Sequence, residues 1–561
     1  MAVRMVARSH RIAQNGTPVE LTADVLVLGG GPAAAWASWA AASAGAKVVV
    51  ADKGYLGTSG PAAASGNGVL AVPPDERAHV IAQRSDVGRG LVDTLWLERM
   101  LETTWRSMPL LEEWGYAFPK LDGKPVRTSY YGPEYMRLLR KQLLRAGVTI
   151  LDQSPALELL VDADGCVAGA RGIRRQEHTY YSVRAGAVVL ATGGCAFLSK
   201  ALGSNVNTGD AFLMAAEAGA ELSGMEFSSQ YAISSALNAT VTRGVPYVWA
   251  TYYDADGKPI GGGRDGRRGD WLLPKALLNG PVYARLDRAT PEVRAVIEKS
   301  HFIAFLPLRK AGIDPYTQLF PVTLVLEGTM RGAGGVRIID DECATTVPGL
   351  YAAGDAATRE LIAGAATGGG GPNAAWAISS GQWAGAGAAR FALGLGEHAR
   401  TRAVRAAGRV GLAGRDYAPG RYDADAAIQA VQSEVFPLEK NYFRSEDGLT
   451  RSLAALDAVW QELQRQPDVD TVRAVERSRT AAHLAATARW AYNSGLRRRE
   501  TRSLNRRVDY PDMDPRQRHY QATGGIDELW IRDVPVRDAS IRPRDDTSTT
   551  STLTKPSVQR T

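Results

Sequence analysis

A glycine-rich turn near the amino end carries the clearest chemical signal in this sequence. Residues 29–34 read Gly-Gly-Gly-Pro-Ala-Ala, a G-x-G-x-x-A pattern that directly follows an apolar run. Such a turn lets the backbone approach a pyrophosphate, and its small last position lets the following helix pack closely against the strand. Asp52 ends the next apolar run about twenty residues further on, where a carboxylate accepts hydrogen bonds from a ribose. The spacing predicts a dinucleotide-binding site.

Three later motifs favour a flavin dinucleotide over a nicotinamide dinucleotide. They are ATGG (191–194), TGD (208–210) and AAGD (352–355), in that order. Asp355 would hold a ribityl or phosphate group by hydrogen bonds, and a helix starting near Asn373 would direct its positive end toward the reduced ring. A nicotinamide-binding domain needs none of these pieces, so we predict FAD as the cofactor.

The predicted FAD contacts come from the glycine turn, the loop after the ribose acid, several strand ends and the start of the later helix. In the loop, hydroxyl groups and backbone N–H groups would serve as donors. The full set is Gly29, Gly31, Pro32, Ala33, Ala34, Asp52, Lys53, Thr58, Ser59, Gly60, Ala156, Leu157, Ala191, Thr192, Gly193, Asp210, Gly354, Asp355, Asn373, Ala374 and Ala375.

The elements that position these residues indicate an α/β fold. Apolar runs at 23–30, 46–52 and 185–194 are typical of buried parallel strands. We therefore predict a Rossmann-like FAD-binding domain with a parallel sheet, interrupted by an α+β capping domain and followed by a helical C-terminal domain. The predicted boundaries are 1–22 for a lead-in, 23–233 and 345–400 for the FAD-binding domain, 234–344 for the cap, 401–544 for the helical domain and 545–561 for a disordered tail.

Composition argues against several classes of protein and site. The 561 residues carry a formal net charge of +7 and no nucleic-acid-binding motif, so we expect no nucleic acid partner. The three cysteines form no C-x-x-C pair, which argues against an iron–sulfur cluster held by this chain. No apolar run reaches about 18 residues, and the first residues lack the apolar core of a signal peptide. We therefore expect no membrane span and a cytoplasmic location.

The order of these motifs resembles the flavoprotein subunit family that includes fumarate reductase, succinate dehydrogenase, L-aspartate oxidase and the adenylylsulfate reductase alpha subunit. The resemblance covers about 22–395 and returns near 497–511, where ETRSLNRRVDYP resembles the family motif ESRGAHYRxDYP. The segment TTVPGLYAAGD, together with Ser59 and Gly60, resembles the adenylylsulfate reductase branch most. The resemblance implies a mobile cap over FAD and a separate partner, a small ferredoxin-like iron–sulfur subunit.

The chain departs from this family where relatives handle flavin and substrate. Many relatives have a His or Arg after the ribose acid that contacts or covalently binds the flavin; the loop 53–68 contains no His, so we expect non-covalent FAD. The family motifs EFVQFHPT and HYTMGG lose their His here, and HGANRLGGN corresponds to 363–373, which has no Arg. Clamping of a dicarboxylate relies on Arg and charged His donors. Fumarate or succinate is therefore not the expected substrate.

Four residues are predicted to handle the substrate instead. Tyr231 stands at the lost His position and is a candidate proton donor, although a ring that merely stacks near the flavin is an equal alternative. Arg331 lies in the glycine-rich segment that should face the flavin. Lys275 lies near the point where the cap of relatives supplies a catalytic Arg. Asn505 replaces the His of the tail motif and offers a neutral hydrogen bond.

These observations predict an FAD-dependent oxidoreductase that transfers a hydride between FAD and a small organic or sulfur-containing molecule. Domain closure would exclude water and align the reacting atoms. Two alternatives stay open. The chain could be an electron-transfer flavoprotein subunit without its own substrate site, or an oxidase similar to L-aspartate oxidase that needs access for O₂.

Overall fold

The structure is a computed structural model that describes residues 18–64, 66–121, 123–237, 239–242, 244–262 and 272–537. Most of the predicted lead-in and all of the predicted tail at 545–561 lie outside these residues. Within them, no helix is both long enough and apolar enough to cross a membrane.

The first part of the chain builds most of the central sheet. Its elements, in order, are β1 (Val19–Leu28), α1 (Pro32–Ser43), β2 (Val48–Ala51), β3 (Gly66–Gly68), α2 (Arg77–Val87), α3 (Thr94–Glu113), β4 (Lys120–Leu121), β5 (Lys124–Pro125), β6 (Ser129–Tyr131), α4 (Gly132–Arg145), β7 (Thr149–Leu151), β8 (Ala156–Val161), β9 (Val167–Arg174), β10 (Thr179–Leu190), α5 (Asp210–Glu217) and β11 (Leu222–Ser223).

The middle of the chain forms the cap and returns to the central sheet. Its elements are β12 (Tyr231–Ser235), β13 (Thr251–Tyr253), β14 (Pro259–Gly262), α6 (Leu272–Asn279), β15 (Val282–Arg285), α7 (Pro291–Ser300), α8 (Phe302–Lys310), β16 (Phe320–Leu326), β17 (Gly335–Val336), β18 (Leu350–Ala352), α9 (Glu360–Ala363) and α10 (Gly371–Gly394).

The last part is mainly helical but ends in two strands. Its elements are α11 (His398–Thr401), β19 (Arg405–Ala406), β20 (Ala418–Arg421), α12 (Ala424–Val435), α13 (Leu438–Asn441), α14 (Glu446–Glu462), β21 (Arg465–Gln466), α15 (Val472–Arg497), β22 (His519–Gly524) and β23 (Trp530–Pro535).

The central sheet is parallel at its core and antiparallel on one side. β1 pairs in parallel with β2 and β10, β2 pairs with β7, and β10 pairs with β18. β8, β9 and the first half of β10 form an antiparallel meander, to which β19 adds. The predicted parallel sheet is therefore the core of a larger mixed sheet. Short connections at 162–166 and 175–178 allow only antiparallel neighbours, because a parallel crossover needs about a dozen residues or more.

Close packing of α1 on α10 covers the parallel strands. Glycines of α10 sit against the backbone of α1: a Cβ at Gly381 would lie 2.6 Å from the carbonyl oxygen of Ala33. Small side chains on both helices permit this approach, and Trp36 and Trp376 fill the space beside them with no exposed surface. Strands covered in this way read as continuous apolar runs, as residues 25–28 do.

The cap is a five-stranded antiparallel sheet with three helices and its own core. The strand order is β12-β16-β15-β13-β14, and apolar side chains of α6, α7 and α8 pack with it. This unit runs from Tyr231 to Leu326, whereas the predicted cap spans 234–344. The segment after β16 already belongs to the FAD-binding domain, because β17 pairs with β11.

The C-terminal region contains the predicted helices and, in addition, strands. α12, α14 and α15 pack together, but β22 then pairs with both β11 and β23, so the end of the described chain joins a four-stranded sheet β17-β11-β22-β23. The tail segment between α15 and β22 is thereby held against the FAD-binding domain.

Candidate functional site

Four parallel strands of the central sheet end at one crevice. β1 leads into the glycine turn, β2 into Asp52, β10 into Ala191 and β18 into Gly354, and residues of all four strand ends line the same cleft. In open α/β sheets, ligands bind in the crevice outside the carboxyl ends of the strands. The fold therefore brings together the motifs that the sequence spreads over more than three hundred residues.

Asp52, the predicted ribose-binding acid, lies directly beneath the glycine turn. Asp52 is buried, and a Cβ at Gly30 would overlap its carboxylate. The hydroxyl of Ser59 donates to Oδ2 of Asp52 at 3.0 Å. Burial raises the pKa of Asp52 while the Ser59 hydroxyl opposes that effect. A buried carboxylate with one donor retains lone pairs for further donors, and the paired hydroxyls of a ribose fit that need.

Two helices begin at the cleft without a side-chain cap. α1 starts after Gly31 and α10 after Gly370, and among the described residues no side-chain cap is present at either start. A Cβ at Gly31 or Gly370 would meet no atom within 4 Å, so both turns border open space. Uncapped helix starts beside open space are suited to anions, such as the pyrophosphate of a dinucleotide.

Asp355 is held by a buried arginine that lies directly before α9. Nη1 of Arg359 donates to Oδ1 of Asp355 at 2.8 Å and to Oδ1 of Asn373 at 2.9 Å. Burial raises the pKa of Asp355, and the Arg359 charge opposes that rise. Gly354 approaches α1 closely, because a Cβ there would lie 2.6 Å from Cβ of Ala33. These contacts fix the position of Asp355 against the first glycine turn.

Lys53 is positioned by a second buried group. Its Nζ donates to Oδ2 of Asp210 at 2.9 Å and to Oγ1 of Thr208 at 3.0 Å. His483 on α15 lies 3.1 Å from the other oxygen of Asp210. Burial alone would raise the pKa of Asp210, but Lys53 and His483 hold it below its ordinary value. The predicted contacts Lys53 and Asp210 therefore act together, with only Lys53 on the cleft wall.

The cleft continues from the strand ends to the cap. Its volume is 2390 Å³, and its lining includes Tyr247, Tyr252 and Leu273 of the cap as well as the glycine turn. Single ligand pockets usually measure about 300–1,000 Å³. The space therefore exceeds what one cofactor would occupy, and the FAD-binding domain and the cap enclose it together.

Most predicted cofactor contacts line this cleft, and some do not. Those on the wall are Gly31, Pro32, Ala33, Asp52, Lys53, Ser59, Gly60, Ala191, Thr192, Gly193, Gly354, Asp355, Asn373 and Ala374. Gly29, Ala34 and Ala375 pack just behind it. The hydroxyl of Thr58 donates a hydrogen bond to the carbonyl oxygen of Tyr55. Ala156 and Leu157 start β8 and are not on the wall, because the meander directs that strand into the helical domain, where Arg479 donates to the Leu157 carbonyl.

The four predicted substrate residues divide in the same way. Tyr231 and Arg331 line the cleft. The hydroxyl of Tyr231 faces the carbonyls of Val435 and Phe436 at 2.9 and 3.2 Å, and burial raises its pKa, which favours a positioning role over proton donation. Arg331 pairs with buried Glu327 at 3.1 Å.

The structure does not bring Lys275 or Asn505 to the cleft wall. Lys275 is an exposed residue of α6, although its neighbours Leu273 and Pro274 do line the cleft. Asn505 is fully buried, where its amide donates to the carbonyl of Glu500 at 2.8 Å and its oxygen accepts from Arg444 at 3.1 Å. It stabilises the tail segment instead of facing a ligand.

Sequence reasoning missed two arginines at this site. Arg359 holds Asp355, as described above, and Arg506 lines the cleft beside Tyr231 and Tyr442. A signal for Arg506 was present: the family motif ESRGAHYR has Tyr where this chain has Arg506, directly after Asn505. The change of residue type at a motif position was more informative than the motif itself.

Comparisons with known proteins agree with this geometry. Residues 24–132 and 104–258 match the family described as "FAD binding domain". L-aspartate oxidase of Streptomyces coelicolor is 27% identical over 92% of this chain and 92% of its own length. A fumarate reductase flavoprotein subunit of Mycobacterium tuberculosis is 26% identical over 88% of this chain and 92% of its own length.

Solved structures share the fold. The FrdA chain of Escherichia coli quinol fumarate reductase superposes with a TM-score of 0.77 at 21% identity, covering 94% of this chain and 99% of that chain. Adenylylsulfate reductase of Archaeoglobus fulgidus gives 0.74 at 18% identity, covering 94% and 98%. The glycine turn, the buried ribose acid and the uncapped helix starts fit FAD. The protein is therefore an FAD-binding flavoprotein oxidoreductase related to the flavoprotein subunits of fumarate reductase.

Proposed function

We propose that the protein transfers a hydride between non-covalently bound FAD and a small organic or sulfur-containing substrate enclosed between the FAD-binding domain and the cap. The observation that carries this proposal is the single cleft that reaches from the glycine turn to the cap residues Tyr247 and Tyr252. When bound, FAD supplies the hydride chemistry. The chain's own residues bind it at Asp52 and the uncapped helix starts, and the cap excludes water from the space above it.

The same cleft argues against an electron carrier without a substrate site. A carrier needs one exposed flavin edge against a flat interface, whereas this wall is concave and has polar groups such as Gln230, Arg331 and Thr367. A dicarboxylate substrate is also disfavoured, because Tyr231 and Glu327 stand in the motifs that carry His in relatives. We propose that a small ferredoxin-like subunit exchanges electrons with FAD and that the protein acts in the cytoplasm.

The direct test is reoxidation of the reduced protein. FAD would be reduced by light under anaerobic conditions, and its absorbance followed after addition of organic acids, sulfonates, sulfonucleotides, ferredoxin or O₂. We expect rapid reoxidation by an organic or sulfur-containing acceptor. Reoxidation by ferredoxin alone would contradict the proposal and favour the carrier, and rapid peroxide formation with O₂ would favour an oxidase.

Attachment of the cofactor is tested separately by acid precipitation. The loop 53–68 contains no His, so the yellow colour should pass into the supernatant. A precipitate that stays yellow after washing would overturn the non-covalent assignment.

A further inference from the structure

Arg506 is a cation of the cleft wall without a counter-charge. Its Nη1 donates to the carbonyl oxygen of Ser229 at 3.2 Å, and its Cζ lies 4.0 Å from the centre of the Tyr442 ring. Throughout the described ranges, no carboxylate comes within ion-pair distance of its guanidinium. A carbonyl and an aromatic ring are neutral partners. The charge of Arg506 is therefore solvated incompletely by the protein itself, although it is only partly exposed.

Most other cations of the wall are balanced or hydrated. Three of them are paired with carboxylates: Lys53 with Asp210 at 2.9 Å, Arg331 with Glu327 at 3.1 Å and Arg502 with Glu500 at 2.6 Å. Arg89 and Lys299 are exposed, so water solvates them. Arg84 on α2 is a second partly buried cation of the wall for which the described residues supply no carboxylate partner. A partly buried arginine without a carboxylate partner in a cleft can accept an anionic ligand, so the surroundings of Arg506 carry the inference of a ligand there.

The surroundings of Arg506 are aromatic and apolar. The rings of Tyr231 and Tyr442 meet edge to face with centres 5.7 Å apart, and the Tyr231 hydroxyl already faces backbone carbonyls. Apolar side chains of the cap continue the same wall: Ile233, Tyr247, Tyr252, Leu273, Phe302 and Leu324. These aromatic and apolar side chains offer contact area to an uncharged molecular body and carry no charge for a second anionic group.

We propose that Arg506 anchors the substrate by one oxyanion group, a carboxylate, sulfonate or phosphate ester, and that the rest of the substrate is an apolar or aromatic body. This inference rests on the proposed function and narrows its substrate class. A guanidinium binds such a group by two parallel charge-assisted hydrogen bonds. The apolar wall lowers the local dielectric and strengthens those bonds.

Calorimetric titration of the FAD-loaded full chain tests this inference without turnover. The probes are benzoate, benzenesulfonate and phenyl phosphate, with neutral benzamide and the dicarboxylate succinate for comparison. We expect at least one aromatic anion to bind about tenfold or more tightly than benzamide, since charge-assisted hydrogen bonds are stronger than neutral ones. Succinate should bind more weakly than that anion.

Variants locate the anchor. Arg506→Gln should weaken binding of the aromatic anion by about tenfold or more, and Arg506→Lys should retain part of it. Arg499→Gln is the matched control, because Arg499 is an exposed residue of the same tail segment and pairs with exposed Glu446. It should leave binding unchanged.

Three outcomes would overturn the inference: equal affinity for benzoate and benzamide analogues, unchanged anion binding in Arg506→Gln, or loss of FAD itself from that variant, which would assign Arg506 to the cofactor. If Arg506→Gln does not fold, the affinities of the natural protein for the aromatic anions, benzamide and succinate still test whether the cleft prefers an apolar body with one anionic group. Failure of the proposed function looks different, because anions would bind while no organic acceptor reoxidised the flavin.

Discussion

The carboxylate of Asp52 packs against the backbone of Gly30, and Ser59 donates to it from the other side at 3.0 Å. Burial makes this charge costly in the protein without its cofactor, as the raised pKa of Asp52 indicates. Ribose hydroxyls would relieve that cost by donating to the free lone pairs. Asp52 is therefore placed to accept hydrogen bonds from a ligand in addition to the one from Ser59.

Replacing the carboxylate of Asp52 should weaken the binding of FAD and leave the fold intact. We expect Asp52→Asn to raise the dissociation constant of FAD by about ten- to hundredfold, since hydrogen bonds to a charged group contribute about 1.5–3 kcal/mol. Quenching of flavin fluorescence on titration measures this. The free energy of unfolding of the cofactor-free protein should stay equal or rise, because a buried charge is removed. A marked loss of that stability would contradict this account.

Gly31 borders open space that the cofactor is expected to use. Gly31→Val should abolish tight FAD binding by filling the turn, while the cofactor-free protein unfolds at nearly its original temperature. Gly394→Val is the control, since a Cβ at Gly394 also meets no atom within 4 Å but lies at the far end of α10. Equal FAD affinity in the two variants would show that the turn is not the pyrophosphate site.

A buried ion pair ties the helical region to the FAD-binding domain. Nη1 of Arg479 on α15 donates to Oε1 of Glu217 on α5 at 2.9 Å, and both side chains are 1% exposed. Glu217→Gln should lower the free energy of unfolding by about 3–5 kcal/mol, because Arg479 is left as an uncompensated buried charge. Chemical denaturation measures the change.

The exposed pair of Glu462 and Arg465 supplies the comparison for that measurement. Their side chains are 41% and 48% exposed at an N–O distance of 3.0 Å. Glu462→Gln should change stability by less than about 1 kcal/mol. Similar losses in both variants would mean that burial of the Arg479 pair does not determine its contribution.

Glu360 should make stability depend on pH. Burial raises its pKa to about 8, and neighbouring Glu226 adds to the rise. Between the ordinary value of 4.5 and about 8, the folded state holds a proton that the unfolded state has lost, so the free energy of unfolding falls as pH rises. Glu360→Gln has no such proton. Its stability relative to the natural protein should therefore increase with pH, by up to about 1.4 kcal/mol per pH unit.

Denaturation of both proteins at several pH values checks this. Gln keeps the acceptor that receives the Ser223 hydroxyl, so packing changes little. Parallel stability curves across the window would show that Glu360 is already ionised in the folded state.

The local sequence pattern was sufficient to predict the strands that end at the cofactor crevice. The runs before Gly29 and Asp52 are short, apolar, rich in Val and followed by turns, a combination that is typical of a parallel strand covered on both faces. The strand that ends before Ala191 follows the same rule. Because the carboxyl ends of parallel strands share one edge, predicting the strands also predicted that most of the proposed cofactor contacts lie on one cleft.

Pairing between strands that are distant in the sequence could not be predicted from local pattern in the same way. β22 follows a long helical stretch, and its partner β11 lies about three hundred residues earlier, so no local period reveals the pairing. The antiparallel meander that carries Ala156 was missed for a similar reason. At the tail, the motif identified the correct segment, but a one-residue difference decides between Asn505, which is buried, and Arg506, which faces the cleft.

The order of residues along the chain has a consequence for synthesis. The four strand ends and the two helix starts of the predicted cofactor site have all been made once α10 is complete, whereas Arg506 and the strand β22 come more than a hundred residues later. A chain that ended early would thus contain the predicted flavin-binding residues but would lack the arginine that we propose selects the substrate. In a chain truncated before Leu496, we expect bound flavin to be exposed to water and to react with O₂ without selecting a substrate.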